Sequence, residues 1–232
     1  MVGRPRLLFS AEHATCAVPP QLEAACASRR AQRLLQSHRG WDAGSLDIAR
    51  FLAEYFRAPF VEAKVSRLVV DANRSPSHRS VFSELTDRLS PQQRLVLLQE
   101  YHAPHWSKVE RLVQRLAQRG PVLHCAMHSF TPRWKGKIRN TEIGLLYDPR
   151  RGGERKVVLD LQARLRASTE LTVHRNSPYR GISDGLPTRL RQKFPASNYW
   201  GLEIEINQKL IPRDLQHVKV ALAEAIGAAL NS

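Results

Sequence analysis

The sequence has few cysteines, and none of them pairs with another at the spacing of a metal site. Cys16, Cys26 and Cys125 are the three in the chain, an odd number that argues against a fully paired disulfide framework. The absence of a Cys-x-x-Cys pair also argues against a cysteine-based zinc site. We therefore expect a cytoplasmic protein, because a reducing compartment keeps thiols free.

Long hydrophobic runs are also absent. No apolar stretch approaches the ~20 residues that span a bilayer, and the N-terminus leads into a strand-like run without the apolar segment of a secretory signal. We therefore expect no membrane association. The 232 residues are 42% hydrophobic and 25% charged, which suits a globular protein, and we predict a single domain over residues 1–232.

Acidic residues are scarce relative to basic ones. The chain has 36 lysines and arginines against 21 aspartates and glutamates, a formal net charge of +15. Such an excess would suit a nucleic-acid partner. However, the basic residues are mostly arginines spread through the predicted helices, and they form no compact block with interleaved aromatics. We interpret the charge as a solvated basic surface and do not expect a nucleic-acid interface.

Short apolar runs alternate with amphipathic segments along the chain. Residues 122–127 are almost wholly apolar and lie between the turn signals Gly120-Pro121 and Thr131-Pro132, which is typical of a central strand covered on both faces. Further strands are predicted at residues 6–10, 60–63, 68–71, 142–147, 171–174 and 199–207. The alternation predicts an α/β fold with a mixed, mainly parallel sheet covered by helices on both faces.

The helical pattern is interrupted by several predicted loops. Helices are predicted at residues 22–36, 42–56, 91–101, 105–119, 154–168, 189–194 and 214–230. Pro104 is expected to separate the third helix from the fourth. Residues 75–90 are predicted to form a polar loop over the functional site, residues 133–140 a basic loop, and residues 176–187 a mobile flap rich in Gly, Pro and Ser.

Polar side chains stand where the predicted strands end. Glu12 and His13 follow the first strand, His128 and Ser129 end the central one, and Asp42 opens a helix, where its carboxylate suits the first turn. In open α/β sheets, chemistry gathers at the carboxyl ends of strands. Two histidines and a carboxylate, with water as the fourth ligand, are a common catalytic zinc set. The spacing alone is weak evidence, because a histidine at a strand end is more often a structural hydrogen-bonding group.

Two glutamates alternate with apolar residues in the last predicted strand. Glu203 and Glu205 therefore face the same side of it. Carboxylates among apolar strand residues are costly unless they are used or paired. Each is therefore a candidate general base or the partner of an arginine.

Five motifs together carry a resemblance to a known family. They are SAEHA at residues 10–14 with Val18-Pro19, GWDAG at 40–44, SRLVVDANR at 66–74, MHSF at 127–130 and LEIEIN at 202–207. In this order they resemble the N-formylglutamate amidohydrolase family over nearly the whole chain, from Leu7 to about Leu210. The most specific piece is the Ser-Arg-x-x-x-Asp-x-Asn-Arg string.

The resemblance implies a fold and an activity. The family is thought to share its fold with zinc carboxypeptidases and aspartoacylase-type deacylases, so a zinc carboxypeptidase-like (phosphorylase/hydrolase-like) α/β fold is expected. The implied activity is that of a zinc-dependent amidohydrolase, which cleaves the N-acyl amide of a small acidic N-acyl amino acid such as N-formylglutamate. A non-catalytic basic protein that binds an acidic partner on the same scaffold is the alternative.

The metal ligands follow from the same resemblance. His13 and His128 would bind zinc. The relatives carry a His-x-x-Glu pair, whereas residues 14–16 of this chain read Ala-Thr-Cys. The resemblance therefore implies a long insertion, with Asp42 taking the carboxylate role and Glu12 as the rival candidate.

Catalytic and substrate contacts are implied as well. The resemblance places the catalytic glutamate at Glu205, with Glu203 as the alternative, and Arg67 would stabilise the developing oxyanion. The planar guanidinium of Arg74, with Asn73, would hold a substrate carboxylate. The remaining candidate substrate contacts are Ser129 after the central strand and, on the predicted flap, Tyr179 and Arg180. Because these motifs follow or end strands, we expect His13 and His128 to lie within about 10 Å of each other, as shared zinc coordination requires.

Overall fold

Strands and helices alternate through the part of the chain that the computed structural model describes, residues 4–231. The strands are β1 (Arg6–Ala11), β2 (Phe60–Glu62), β3 (Val122–Phe130), β4 (Arg133–Trp134), β5 (Lys137–Ile138), β6 (Ile143–Leu146), β7 (Val173–Arg175) and β8 (Tyr199–Asn207). The α-helices are α1 (Arg29–Leu35), α2 (Ser45–Tyr55), α3 (Pro91–Leu97), α4 (Ala103–Ala117), α5 (Gly152–Ser168), α6 (Leu186–Lys193) and α7 (Ile211–Ala229). Residues 1–3 and 232 lie outside the described residues. The predicted domain includes all four of them, and the N-terminus for which no signal segment is predicted includes residues 1–3.

Six strands form the large sheet, in the order β2-β1-β3-β8-β6-β7. Strand β6 runs antiparallel to β8, and the other four pairings are parallel. All nine residues of β3 are buried, since β3 lies between β1 and β8 with helices on either side. The predicted fold class, one α/β domain with a mixed and mainly parallel sheet covered by helices, is confirmed.

The two faces of the sheet differ in chemistry. One face packs Phe9, Met127 and Ile204 against α2, α5 and α7 in an apolar layer. The other face packs Leu8 and Tyr199 against α4 and α6. Toward the carboxyl ends of β1, β3 and β8 this second face becomes polar. Because side chains alternate along a strand, the polar residues of these three strands point to the same side.

The strand predicted at residues 68–71 is wrong. The carbonyl of Ser66 accepts from the backbone N–H of Val69 over 2.9 Å, and its hydroxyl accepts from Leu68 over 3.1 Å. These bonds close a turn directly after Ser66. Leu68, Val69 and Val70 are buried in a separate apolar cluster beside α1 and α3. A short apolar run reads alike in a buried turn and in a buried strand, so the pattern could not separate the two.

Two helical predictions also differ from the structure. A helix was predicted at residues 22–36, but the α-helix there is only α1. It begins after Ser28, because the Ser28 side chain accepts a hydrogen bond from the N–H of Ala31 and caps the helix. Pro104 does not separate two helices. It lies in the first turn of α4, where a missing N–H costs little, and the π-helical turn Leu98–His102 joins α3 to α4.

The predicted basic loop at residues 133–140 is a hairpin. Strands β4 and β5 pair antiparallel. Lys135 and Gly136 connect them with φ angles of 46° and 79°, which is the left-handed geometry that a two-residue hairpin turn requires. The hairpin projects from the chain directly after β3, at the polar end of the sheet.

Of the helices within residues 4–231, none combines the length and the apolar character that crossing a bilayer requires. Cys16, Cys26 and Cys125 are free thiols.

Candidate metal centre and adjoining cavity

His13, Asp42 and His128 converge at the carboxyl end of the central strands. His13 comes shortly after β1, His128 lies near the end of β3, and Asp42 lies in the turn before α2. The backbone N–H of Asp42 donates to the carbonyl of His13 over 3.0 Å, which ties the turn to the strand end. The prediction that Asp42 opens the helix is wrong, because α2 begins at Ser45 and Gly44, with a φ of 77°, is its N-cap. The Asp42 carboxylate faces the two histidines instead.

The ligand atoms of these three residues lie within 4.8 Å of one another. Asp42 Oδ2 is 3.3 Å from His13 Nδ1 and 3.0 Å from His128 Nδ1, and the two ring centroids are 4.9 Å apart. The residues are 4%, 3% and 2% exposed in chain order. Two imidazole nitrogens and a carboxylate oxygen that converge in this way can bind a metal ion.

The other ring nitrogen of each histidine faces a second carboxylate. Asp71 Oδ1 lies 2.7 Å from His13 Nε2, and Glu12 Oε2 lies 3.3 Å from His128 Nε2. A carboxylate in this position fixes the ring and its tautomer, so that Nδ1 is left to bind a metal. The structure therefore places Glu12 behind His128, on the side away from Asp42.

Burial and charge affect the two histidines in opposite ways. Burial lowers the pKa of His13 to about 4, the positive charge of Arg67 adds to this, and the contact with Asp71 only partly opposes it. Burial also acts to lower the pKa of His128, but the hydrogen bond to Glu12 and the neighbouring carboxylate charges outweigh it and raise the pKa to about 9. Near neutral pH the metal-free protein therefore carries a neutral His13 and a protonated His128.

Metal affinity should depend on pH for this reason. A metal that binds at His128 Nδ1 must displace a proton, and the free protein carries that proton below a pKa of about 9. Raising the pH therefore favours the complex. We expect the apparent affinity for a divalent metal ion to rise about tenfold per pH unit from about pH 7 to about pH 9 and then to level off. Competition with a chromophoric chelator, corrected for the chelator's own protonation, measures this slope. A constant affinity over this range would contradict the protonation of His128.

Asp42 is held by two further groups. The backbone N–H of Ser129 donates to Asp42 Oδ2 over 3.2 Å, and Arg67 Nη2 forms an ion pair with Asp42 Oδ1. The hydroxyl of Ser129 donates to the carbonyl of Ala43 over 2.7 Å, so this side chain joins the end of β3 to the turn that carries Asp42. Arg67 is largely buried, and its Nε has no hydrogen-bond partner within residues 4–231.

Glu205 lies beside His128 in the register of the sheet. Strand β8 pairs Glu205 with His128 and Glu203 with Ala126. Glu205 is 7% exposed, burial raises its pKa to about 7, and its Oε2 has no hydrogen-bond partner within residues 4–231. Glu203 is half-buried and accepts from Asn73 Nδ2 over 3.3 Å. Of the two glutamates, Glu205 has the properties of a group that exchanges a proton near neutral pH.

Asn73 and Arg74 contact neighbouring parts of the chain. Asn73 Oδ1 accepts from the backbone N–H of Leu186 over 3.0 Å, and its Nδ2 lies 3.4 Å from His128 Nε2. Arg74 Nη1 donates to the carbonyls of Asn73 and Asp184, each over 2.8 Å. Both side chains thus connect the SRLVVDANR segment to the start of α6. Their binding of a substrate carboxylate stays a prediction.

A cavity of about 460 Å³ opens beside the centre. Asp42, Arg67 and Asp71 form its inner wall. The loop predicted to lie over the site contributes Arg79 and Phe82. The remaining wall includes Ser129, Phe130, Trp134 and Tyr179. Of the two flap residues predicted to contact substrate, Tyr179 lines this cavity, whereas Arg180 is exposed and does not.

Sequence reasoning assigned no role to Asp71 or Arg139. Asp71 lies inside the SRLVVDANR string. It contacts His13 only in the folded chain, so no local sequence pattern indicates this contact. Arg139 stacks near the rings of Phe130, Trp134 and Tyr179 at the cavity. In the sequence, Arg139 is marked only by its place in the basic segment 133–140, which also contains Trp134 and for which a loop is predicted.

The chain is similar, to very different degrees, to two proteins whose structures are solved. The gene product Atu2144 from Agrobacterium tumefaciens has a solved structure that is 29% identical, with a TM-score of 0.82 over 99% of this chain and 92% of that chain. The N-acetylmuramoyl-L-alanine amidase AmiC2 of Nostoc punctiforme is far less similar, with 10% identity and a TM-score of 0.44 over the whole of both chains. No curated protein matches the chain significantly by sequence.

The family predicted from the five motifs is confirmed. The sequence model of the N-formylglutamate amidohydrolase family matches residues 5–212. This range contains the three residues of the candidate metal centre and both glutamates of β8. The chain belongs to the N-formylglutamate amidohydrolase family.

Proposed function

We propose that the protein is a zinc-dependent amidohydrolase that cleaves the formyl-type amide of a small acidic N-acyl amino acid such as N-formylglutamate. Membership of the family supports an amidohydrolase. The observation that carries the proposal is the convergence of His13, Asp42 and His128 within 4.8 Å, beside a cavity of about 460 Å³. A small acyl amino acid is of a size that such a cavity can hold.

The residues present fit a zinc ion. His13 Nδ1, His128 Nδ1 and Asp42 Oδ2 would be its ligands, two imidazoles and one carboxylate, which is a common catalytic set that leaves a position for water. We assign the carboxylate ligand to Asp42 and not to Glu12, because Glu12 contacts the opposite nitrogen of His128. When bound, zinc would polarise the amide carbonyl and bring the pKa of a water toward ~7.

Two further side chains would carry the chemistry of the chain itself. Glu205 would take a proton from the attacking water and later deliver one to the leaving amine, for which a pKa raised to about 7 is suited. Arg67 lines the cavity next to Asp42 and would stabilise the negative charge that develops on the amide oxygen. Glu203 would have a supporting role through its contact with Asn73.

The other predicted contacts would serve substrate binding. Tyr179 lines the cavity and is 43% exposed, so its side chain can approach a bound substrate. Ser129 lines the same wall and would act mainly through its bond to Asp42. Asn73 and Arg74 would position His128 and the start of α6 as well as any carboxylate they bind. Arg180 would need to turn inward to reach the cavity.

A substrate comparison tests the proposal. We expect the zinc-loaded protein to release formate from N-formyl-L-glutamate, more efficiently than from N-formyl-L-leucine, because arginines line the cavity. N-acetyl-L-glutamate tests the acyl group, and protein dialysed against a chelator is the control. Binding of N-formyl-L-glutamate without formate release by the zinc-loaded protein would contradict the enzyme and favour the alternative, a non-catalytic binding protein.

A further inference from the structure

Arg139 lies over three aromatic rings at the cavity. Its Cζ is 5.5 Å from the ring centre of Phe130, 5.3 Å from that of Trp134 and 5.2 Å from that of Tyr179. All three rings line the cavity. Trp134 and Tyr179 are 47% and 43% exposed, so this group of rings stands at the cavity mouth. Flat contact with aromatic faces holds a guanidinium in place while its N–H edge stays available.

The backbone of Arg139 is fixed to the strand that carries Glu205. The carbonyl of Arg139 accepts from Asn207 Nδ2 over 3.2 Å, and its N–H donates to the carbonyl of Pro132 over 2.9 Å. Asn207 is fully buried and lies two residues after Glu205 at the end of β8. The position of Arg139 is therefore set relative to the proposed catalytic glutamate, although the residue belongs to a surface hairpin segment.

The guanidinium of Arg139 has hydrogen-bond donors to spare. Its Nη1 donates to the hydroxyl of Tyr179 over 3.1 Å, and no carboxylate within residues 4–231 forms an ion pair with it. The arginines that line the cavity are either paired with a carboxylate or exposed to solvent. Arg39 pairs with Glu84, Arg67 pairs with Asp42, and Arg79 is exposed on its loop. Arg139 is thus a half-buried, oriented cation beside the rings that line the cavity, and it forms no ion pair within residues 4–231. Its charge acts at longer range on Glu205, where it opposes the rise in pKa that burial causes.

We propose that Arg139 binds one carboxylate of the acidic substrate at the cavity mouth and so determines the preference for acidic N-acyl amino acids. The inference rests on the proposed function and names its specificity residue. The planar fork of an arginine meets a carboxylate through two parallel hydrogen bonds. The aromatic rings reduce the freedom that the side chain would lose on binding. Arg74, by contrast, already donates to two backbone carbonyls.

Product-like ligands test this without turnover. Calorimetry on the zinc-loaded protein would measure the affinity of L-glutamate, of L-glutamine, which lacks the side-chain carboxylate, and of L-isoglutamine, which lacks the α-carboxylate. Arg139→Gln should weaken L-glutamate binding about 10- to 100-fold, as expected for charge-assisted hydrogen bonds. For one of the two amides the wild type and Arg139→Gln should bind equally well, and this amide identifies the carboxylate that Arg139 contacts.

Two further variants control the experiment. Arg139→Lys keeps the charge without the planar fork and should lose only part of the affinity. Arg133→Gln removes the same charge from the same hairpin, where Arg133 is exposed and donates to the carbonyl of Gly136. It should leave the affinity for L-glutamate within about twofold. Circular dichroism and zinc content would show that each variant is folded.

Several outcomes would overturn the inference. The inference is wrong if wild type and Arg139→Gln bind L-glutamate with equal affinity, or if the wild type binds no L-glutamate. It is also wrong if Arg139→Gln weakens the binding of both amides as much as that of L-glutamate. A loss of L-glutamate affinity in Arg79→Gln and not in Arg139→Gln would contradict it as well. The proposed function fails separately. A wild type that releases no formate but shows the expected binding pattern would refute the activity and leave the role of Arg139 intact.

Discussion

Replacing Glu205 with Gln is expected to lower kcat by about 10²–10⁴-fold, the range typical of general acid–base catalysis. The amide keeps the size of the side chain but cannot take up a proton. Glu205 is 7% exposed and lies beside His128 in the sheet register, and burial raises its pKa to about 7. Because Glu205 is not one of the proposed metal ligands, zinc content and KM should change little. Steady-state formate release and elemental analysis measure both quantities.

Glu203→Gln is the matched control for this variant. Glu203 lies two residues earlier on the same face of β8, is half-buried, and accepts a hydrogen bond from Asn73. Its replacement should affect kcat far less than that of Glu205. If Glu203→Gln is inactive and Glu205→Gln is not, the base is Glu203. Near-normal rates in both variants would refute the proposed mechanism.

Replacing His128 with Ala is expected to abolish zinc binding and, with it, activity. The residue would supply one of three protein ligands, and a site of two cannot hold the ion at the concentrations of an assay. His217→Ala, an exposed histidine of α7, is the control and should keep full zinc content. Elemental analysis of protein purified without chelator measures the difference. Full zinc occupancy in His128→Ala would show that the ligand assignment is wrong.

The same measurement separates the two candidate carboxylates. Asp42→Ala should lose zinc, since Asp42 Oδ2 contacts both Nδ1 atoms. Glu12→Gln should weaken binding by about 10- to 100-fold but retain the site, because Glu12 would orient His128 without touching the ion. If Glu12→Gln loses the metal and Asp42→Ala keeps it, the assignment must be reversed.

Runs of apolar residues in the sequence, which reflect burial of the strands, predicted most of the sheet. The last strand was predicted at residues 199–207, which are the bounds of β8, and the apolar run at 122–127 lies inside β3. The strand predicted at 68–71 failed because Ser66 closes a turn with its own hydroxyl and carbonyl. The separate helices predicted around Pro104 failed because a π-helical turn places this proline at the start of α4. In both cases local hydrogen bonds decided the backbone, and apolar spacing does not encode them.

The candidate site was predictable where it depends on strand ends. His13 and His128 follow or end neighbouring parallel strands, so their approach follows from the topology. The contacts of Asp71 and Arg139 could not be predicted in this way. Asp71 contacts His13 from a turn, and Arg139, directly after the hairpin, contacts aromatic rings that line the cavity. Such positions depend on the tertiary arrangement of loops, which leaves no periodic signal in the sequence.

His13, Asp42 and His128 are proposed to form a zinc site on which amide hydrolysis depends. Titration of the metal-free wild type with zinc, while formate release from N-formyl-L-glutamate is measured, tests this dependence. We expect no activity without metal and a linear rise that ends at one equivalent of zinc per chain, with His128→Ala inactive throughout. Formate release by the fully metal-free wild type, or a rise that His128→Ala reproduces, would contradict it.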